Sequence, residues 1–318
     1  RERFLDWWEG EGTLLGSWGT GLSRGAGTRE AVAVPPEPAD IKARREDEEY
    51  VALSIRRDMA SKAWPAEILP VAWADVDTLS LAPVFGSERK YGSDNVWYGA
   101  CIADPEHHQP LILDPANPEL ARLESLIAAV VREARGDYLV GMPAIVPNLD
   151  VLAELRGAQD LLFDLIDRPG WVHGALRELD TAWKAAFDRM RAIVGGPDDS
   201  MAFGYFMLWG IGRVGLLQCD VSATISPAMF DEFVLPRLAD ECAFLDRSLY
   251  HLDGHPCICH LDSLLALGDL DAVEWTPDPQ VPSGGNEAWY GMYRRILEAG
   301  KSVWIAHVKV EEIAPLLD

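Results

Sequence analysis

The chain has 318 residues, with 28 basic against 51 acidic side chains, a formal charge of −23, and 48% hydrophobic and 9% aromatic residues. That composition suits a soluble globular protein with a large core, and the length allows one α/β domain of barrel size. Such a charge repels phosphate backbones and anionic lipid, and no concentrated basic patch offsets it. The apolar runs, such as Leu126–Val131, fall far short of the ~20 residues that cross a bilayer, so neither nucleic acid nor membrane is expected as a partner.

Five cysteines, Cys101, Cys219, Cys242, Cys257 and Cys259, are odd in number and sparse, which argues against a disulfide framework and for a reducing cytoplasm. The opening Arg-Glu-Arg-Phe lacks a basic-then-apolar leader, and this agrees with a cytoplasmic location.

Residues 1–9 read as a short amphipathic helix, followed by a glycine-rich segment from Gly10 to Gly27 that cannot hold regular structure throughout. A charged, peripheral helix is expected from about Asp40 to Ala60, and a strand within Trp64–Trp73 that ends near Asp75. Leu120, Leu123, Ile127, Val130 and Val131 recur at helical spacing within Pro118–Arg135, which stops at Gly136. A short buried strand begins at Tyr138. Helical periodicity returns from Asp150 to Leu165, then over Pro169–Ile193, with Trp171, Leu176, Leu179, Trp183 and Phe187 on one side.

Met201–Trp209 and Leu216–Asp220 read as strands, Pro227–Phe244 as a helix, Ser248–Leu252 as a strand and Asp262–Leu267 as a short helix. The strand Ala272–Trp275, a helix near Trp289–Ala299 and the strand Ser302–Ala306 complete the rhythm. Strands alternating with helices of ten or more residues imply a parallel sheet, and their spacing in the C-terminal half favours a closed barrel.

In such a barrel the chemistry lies where strands run into the loops before helices. Asp220 ends one strand, ahead of Ser226 and Pro227, which form a helix-opening signal; loop anchoring is its bland alternative. Tyr250-His251-Leu252-Asp253 delivers an imidazole and a carboxylate two residues apart, on one face of an extended segment. They suit an acid/base pair or two metal ligands, against a hydrogen bond that braces a turn. His255-Pro256-Cys257-Ile258-Cys259-His260 concentrates zinc-type ligands, but with one residue between the cysteines and no second pair downstream it reads better as thiols packed under a loop. His107-His108 reads as a surface pair.

Twelve tryptophans are many, and Trp73, Trp97, Trp209 and Trp275 fall near inferred strand ends, where aromatic walls suit a flat or cationic substrate. Phosphate-loop, dinucleotide, Gly-x-Ser-x-Gly and His-Glu-x-x-His motifs are missing.

Gln218–Pro236, then Asp246–Gly254, His260–Leu265, Ala272–Trp275 and Glu298–Lys301 together resemble the uroporphyrinogen decarboxylase superfamily, in order and in spacing. The resemblance runs from about Asp150 to the C-terminus. It implies a single (β/α)8 TIM barrel over residues 61–318, with an N-terminal helical and loop extension over residues 1–60. It also implies either a decarboxylase or a methyltransferase that works with a corrinoid protein. The decarboxylase branch carries an N-terminal arginine motif, of which Arg24 is the nearest echo here; the methyltransferase branch places zinc on His-x-Cys, where this chain has His251-Leu-Asp253.

The expected function is therefore methyl transfer or demethylation of a small methylated substrate with a cobalamin-bearing partner protein. Decarboxylation of a porphyrinogen or smaller acid, and a non-catalytic ligand-binding barrel, are the alternatives. His251, Asp253 and Asp220 are the expected catalytic residues, Trp97, Trp209, Tyr250 and Trp275 the substrate-binding ones, and His251 with Asp253 the ligands should zinc bind. A homodimer is a further expectation.

Overall fold

The computed structural model describes residues 1–16, 22–23, 32–64, 67, 69–74, 80–92 and 95–317. Arg24, Asp75 and much of the glycine-rich segment lie outside the described residues. The chain divides into two compact units, one of Arg1 with Leu14–Val214 and the other of Glu2–Thr13 with Gly215–Asp318.

In chain order the first elements are helix α1 (Glu2–Trp8), strand β1 (Leu22–Ser23), helices α2 (Ile41–Glu46) and α3 (Glu48–Ser61), and strands β2 (Lys62–Ala63), β3 (Val71–Trp73), β4 (Arg89–Tyr91) and β5 (Val96–Tyr98). The single helix read over Asp40–Ala60 is two, because Asp47 ends one and caps the next, its carboxylate accepting from Tyr50 N at 2.9 Å. Helix α4 (Pro118–Ala134) is capped by Asn117 and carries proline in its first turn, the position where a missing N–H costs nothing. After β6 (Leu139–Gly141), Gly157 at φ 93° separates α5 (Leu149–Arg156) from α6 (Ala158–Asp167), and α7 (Pro169–Val194) follows.

Within this first unit, α4 packs on α3 and α7, and β3 pairs parallel with β6. A parallel bridge from Met142 to Phe203 extends the pairing to β7 (Ser200–Phe203). The backbones approach so closely there that a Cβ on Gly141 would fall 2.4 Å from Gly204 Cα. Met201–Trp209 is not one strand: Phe206 and Met207 adopt φ of 58° and 52°, and the chain folds back into β8 (Leu208–Ile211), antiparallel to β7. Trp183 donates its indole N–H to Ile145 O at 3.0 Å, which satisfies the polar atom of a fully buried ring.

From Gly215 on, the second unit holds a sheet in the order β12, β11, β10, β9, from strands β9 (Val214–Leu217, whose first residue still counts with the first unit), β10 (Arg247–Asp253), β11 (Ala272–Thr276) and β12 (Ser302–Ile305). β10 with β11, and β11 with β12, run parallel. Its helices are α8 (Pro227–Met229), α9 (Leu235–Phe244), α10 (Leu261–Leu265), α11 (Tyr290–Glu298) and α12 (Val310–Leu317). A π-turn over Phe230–Val234 links α8 to α9, where a continuous helix was expected. Pro236 explains it, since proline offers no N–H to the carbonyl four residues back and its ring crowds that oxygen.

The protein is thus an α/β structure with parallel strands. Among the described residues the sheets are small and none closes on itself. None of the described helices is long and apolar enough to cross a membrane.

Candidate active site

Strand alternation in the second unit decides which side chains meet. β10 and β11 align His251 with Glu274 and Asp253 with Thr276, so these four share one face of the sheet. Tyr250, Leu252, Val273 and Trp275 occupy the alternate positions on the other face. On the first face His251 Nδ1 meets Glu274 Oε2 in a short contact, and the two side chains are 8% and 0% exposed. Thr276 donates its hydroxyl to the other carboxylate oxygen, Glu274 Oε1, at 2.6 Å. The imidazole Nε2 is left facing Asp253 Oδ2 at 3.9 Å, and the Asp253 side chain is half-exposed. One ring nitrogen is therefore held by a buried carboxylate while the other addresses the end of the strand.

The turn after Asp253 is fixed by the neighbouring strand end. Gly254 takes φ 80° and donates its N–H to Thr276 O at 3.0 Å, and His255 N donates to Asp278 Oδ2 at 2.7 Å. Only glycine fits, because a Cβ would lie 2.8 Å from Asp278 Oδ1 in a backbone conformation that other residues avoid. Asp220 opens the 3-10 turn Asp220–Thr224 that follows β9; it is exposed, and its charge acts on His251.

Burial works to lower the pKa of His251, but the Glu274 hydrogen bond and charge, reinforced by Asp253 and Asp220, outweigh it and the net shift is upward. Burial likewise raises Glu274, against the opposing pull of His251 and Thr276. The rise of His251 is the direction the geometry supports, since three carboxylates surround the ring.

The cysteine-rich segment lies alongside. Cys257 and His260 are buried: Ser222 donates its hydroxyl to Cys257 Sγ at 3.4 Å, and His260 Nε2 donates to Ser222 O at 2.9 Å. The His260 ring stacks on Phe230, with centroids 4.3 Å apart. Cys259 is exposed and bonds to Pro256 O at 3.2 Å. All five cysteines are free. These side chains tie the loops after β9 and β10 together and do not converge on a common centre.

Zinc does not fit the His251 site as it stands. Nδ1 is taken by Glu274, Asp253 is the other carboxylate placed beside the ring by a described ion pair, and among the described residues no group of three or more His, Cys, Asp or Glu side chains is arranged to hold a metal ion.

The aromatic residues expected as substrate walls are dispersed. Tyr250 and Trp275 are buried on the face opposite to His251, where Trp275 packs against Trp289 at 4.9 Å. Trp97 and Trp209 belong to the first unit, Trp97 exposed on the β4–β5 hairpin and Trp209 buried in β8 with the Arg1 guanidinium 5.2 Å above its ring. His107 lies exposed against Asp104, and His108 Nε2 accepts from the Trp171 indole at 2.7 Å. Sequence reasoning assigned no role to Glu274, although its separation of 23 residues from His251 matches one strand–helix–strand repeat in a parallel sheet.

The fold is similar to the solved structure of a methyltransferase from Methanosarcina mazei, with a TM-score of 0.54 and 13% identity; the alignment covers 99% of this chain and 96% of that one. No family model and no curated protein matches the chain.

Proposed function

We propose that the protein is a methyltransferase of (β/α)8 barrel type that moves a methyl group between a small organic substrate and a corrinoid protein, in the cytoplasm. The observation that carries this reading is the buried His251–Glu274 pair at the C-terminal ends of parallel strands, with Nε2 turned toward the half-exposed Asp253. Full-length likeness to a methyltransferase fold supports it. The corrinoid protein, when bound, supplies the methyl acceptor.

The chain's own residues have three tasks in this reading. Glu274 fixes the imidazole through Nδ1, and Thr276 fixes Glu274. The surrounding carboxylates favour the protonated ring, and with Nδ1 held by Glu274 the proton on Nε2 is the one left to move. That proton is offered to the heteroatom as its bond to methyl breaks, so that the leaving group departs neutral. Decarboxylation of a porphyrinogen is disfavoured, because Glu274, Asp253 and Asp220 gather negative charge where a polyanion would have to sit.

The test is methyl transfer from a panel of methoxyarenes and methylamines to a reduced corrinoid protein, with His251→Ala beside the parent chain. General acid catalysis contributes about 100- to 10,000-fold, and a loss of that size with an unchanged circular dichroism spectrum is expected. Unchanged turnover in the variant would remove His251 from the mechanism.

A further inference from the structure

The register that pairs His251 with Glu274 continues one strand further. β12 aligns Trp304 with Glu274, so His251, Glu274 and Trp304 form one row across three parallel strands and project from the same face. The row grades from buried to open: Glu274 is fully covered, His251 keeps a small exposed fraction, and Trp304 is half-buried. Among the described residues β12 ends the strand order of this sheet, and its indole stands on the face that carries the imidazole.

We propose that Trp304 is a specificity-determining residue of the His251 site, the wall against which a planar methoxyarene ring without a carboxylate lies; this rests on the function proposed above. A fused aromatic surface beside a rigid polar pair selects flat partners by offset stacking. From that wall the methylated oxygen is brought toward His251, while Glu274 stays covered beneath. The carboxylates Asp253 and Asp220 act on the same imidazole, which sets the site against a ring bearing its own carboxylate.

In the reaction the oxygen–methyl bond breaks and its electron pair stays on oxygen. The methyl leaves as a cation equivalent to the corrinoid protein, and the proton from His251 Nε2 completes the phenol. No oxidant or reductant is consumed in that step.

The experiment measures binding to the purified full chain without a corrinoid protein, by calorimetry or ligand-observed NMR. Its probes are anisole, cyclohexyl methyl ether, 4-methoxybenzoate and choline. Anisole is expected to bind tightest. Trp304→Leu should weaken anisole by about tenfold and leave cyclohexyl methyl ether unchanged, whereas Trp304→Phe, which keeps a ring, should retain most of the affinity. Equal affinity of the parent for anisole and cyclohexyl methyl ether, tighter binding of choline or 4-methoxybenzoate, or an anisole affinity indifferent to Trp304→Leu would overturn the proposal. Because the readout is binding, a failure of methyl transfer with the expected pattern intact would overturn the proposed reaction and leave the wall standing.

Discussion

His251 and Glu274 are Cα partners on adjacent parallel strands, and the imidazole Nδ1 and carboxylate Oε2 meet in a buried contact. Because the pair favours the protonated ring, it stabilises the folded protein fully below the ordinary imidazole pKa of about 6.5, and that stabilisation is lost as pH rises through the raised value. Glu274→Gln keeps the side chain's size and removes the charge. The His251 ring resonances should then titrate at lower pH than in the parent, and the thermal midpoint should vary less with pH above neutrality. Identical titration curves for parent and variant would show that Glu274 does not set the protonation of His251.

The cysteines separate by environment. Burial raises the thiols of Cys242, to about 12, and of Cys257, and Cys219 is also inaccessible. Cys101 and Cys259 are exposed. Iodoacetamide at pH 8 followed by peptide mass mapping should label Cys101 and Cys259 and spare the other three until denaturant is added. Early labelling of Cys257 would mean that the loops after β9 and β10 open in the native state.

What the sequence made legible follows periodicity. Pro118–Ala134 and Pro169–Val194 have long apolar stripes and recognisable starts, and they match the expected helices within a residue or so. The C-terminal strands are apolar runs between helices and were equally readable, as was the placing of His251 and Asp253 on one face. Glu274 was hidden because alternation within one strand says nothing about which residue of the next strand lies opposite; register is a tertiary quantity. For the same reason the sequence does not show that Trp275 faces away from His251 while Trp304 shares its row, since proximity to a strand end does not reveal the face. The β7–β8 hairpin looks like one strand in the sequence because its turn uses Phe206 and Met207 at positive φ, residues with no turn signature.

Gly254 tests whether the turn after Asp253 is part of the site's rigidity. Gly254→Ala places a Cβ 2.8 Å from Asp278 Oδ1 at φ 80°, and the strain should cost about 1–2 kcal/mol in a urea unfolding series. The loss should come with weaker substrate turnover, because the same turn aims Asp253. An unchanged midpoint would show that the turn relaxes freely and that Asp253 is not fixed by it.

Asp164 offers a test of the first unit that is independent of the second. Its carboxylate is 1% exposed and lies between Arg156 Nε and Arg168 Nη1, both at 2.7 Å. Arg156 also donates to Ile102 O and Ala103 O, which ties α5 and α6 to an extended segment with no ladder of its own. Arg156→Met keeps the aliphatic stem but withdraws the more buried of the two guanidinium partners and leaves two carbonyls without this donor. Breaking a buried pair from one side costs about 3–5 kcal/mol, and the residual bond to Arg168 places the expected loss near the lower end. Arg168→Met, whose side chain is 43% exposed, should cost about 1 kcal/mol or less. Equal losses for the two variants in urea unfolding would mean that burial does not govern the strength of this triad.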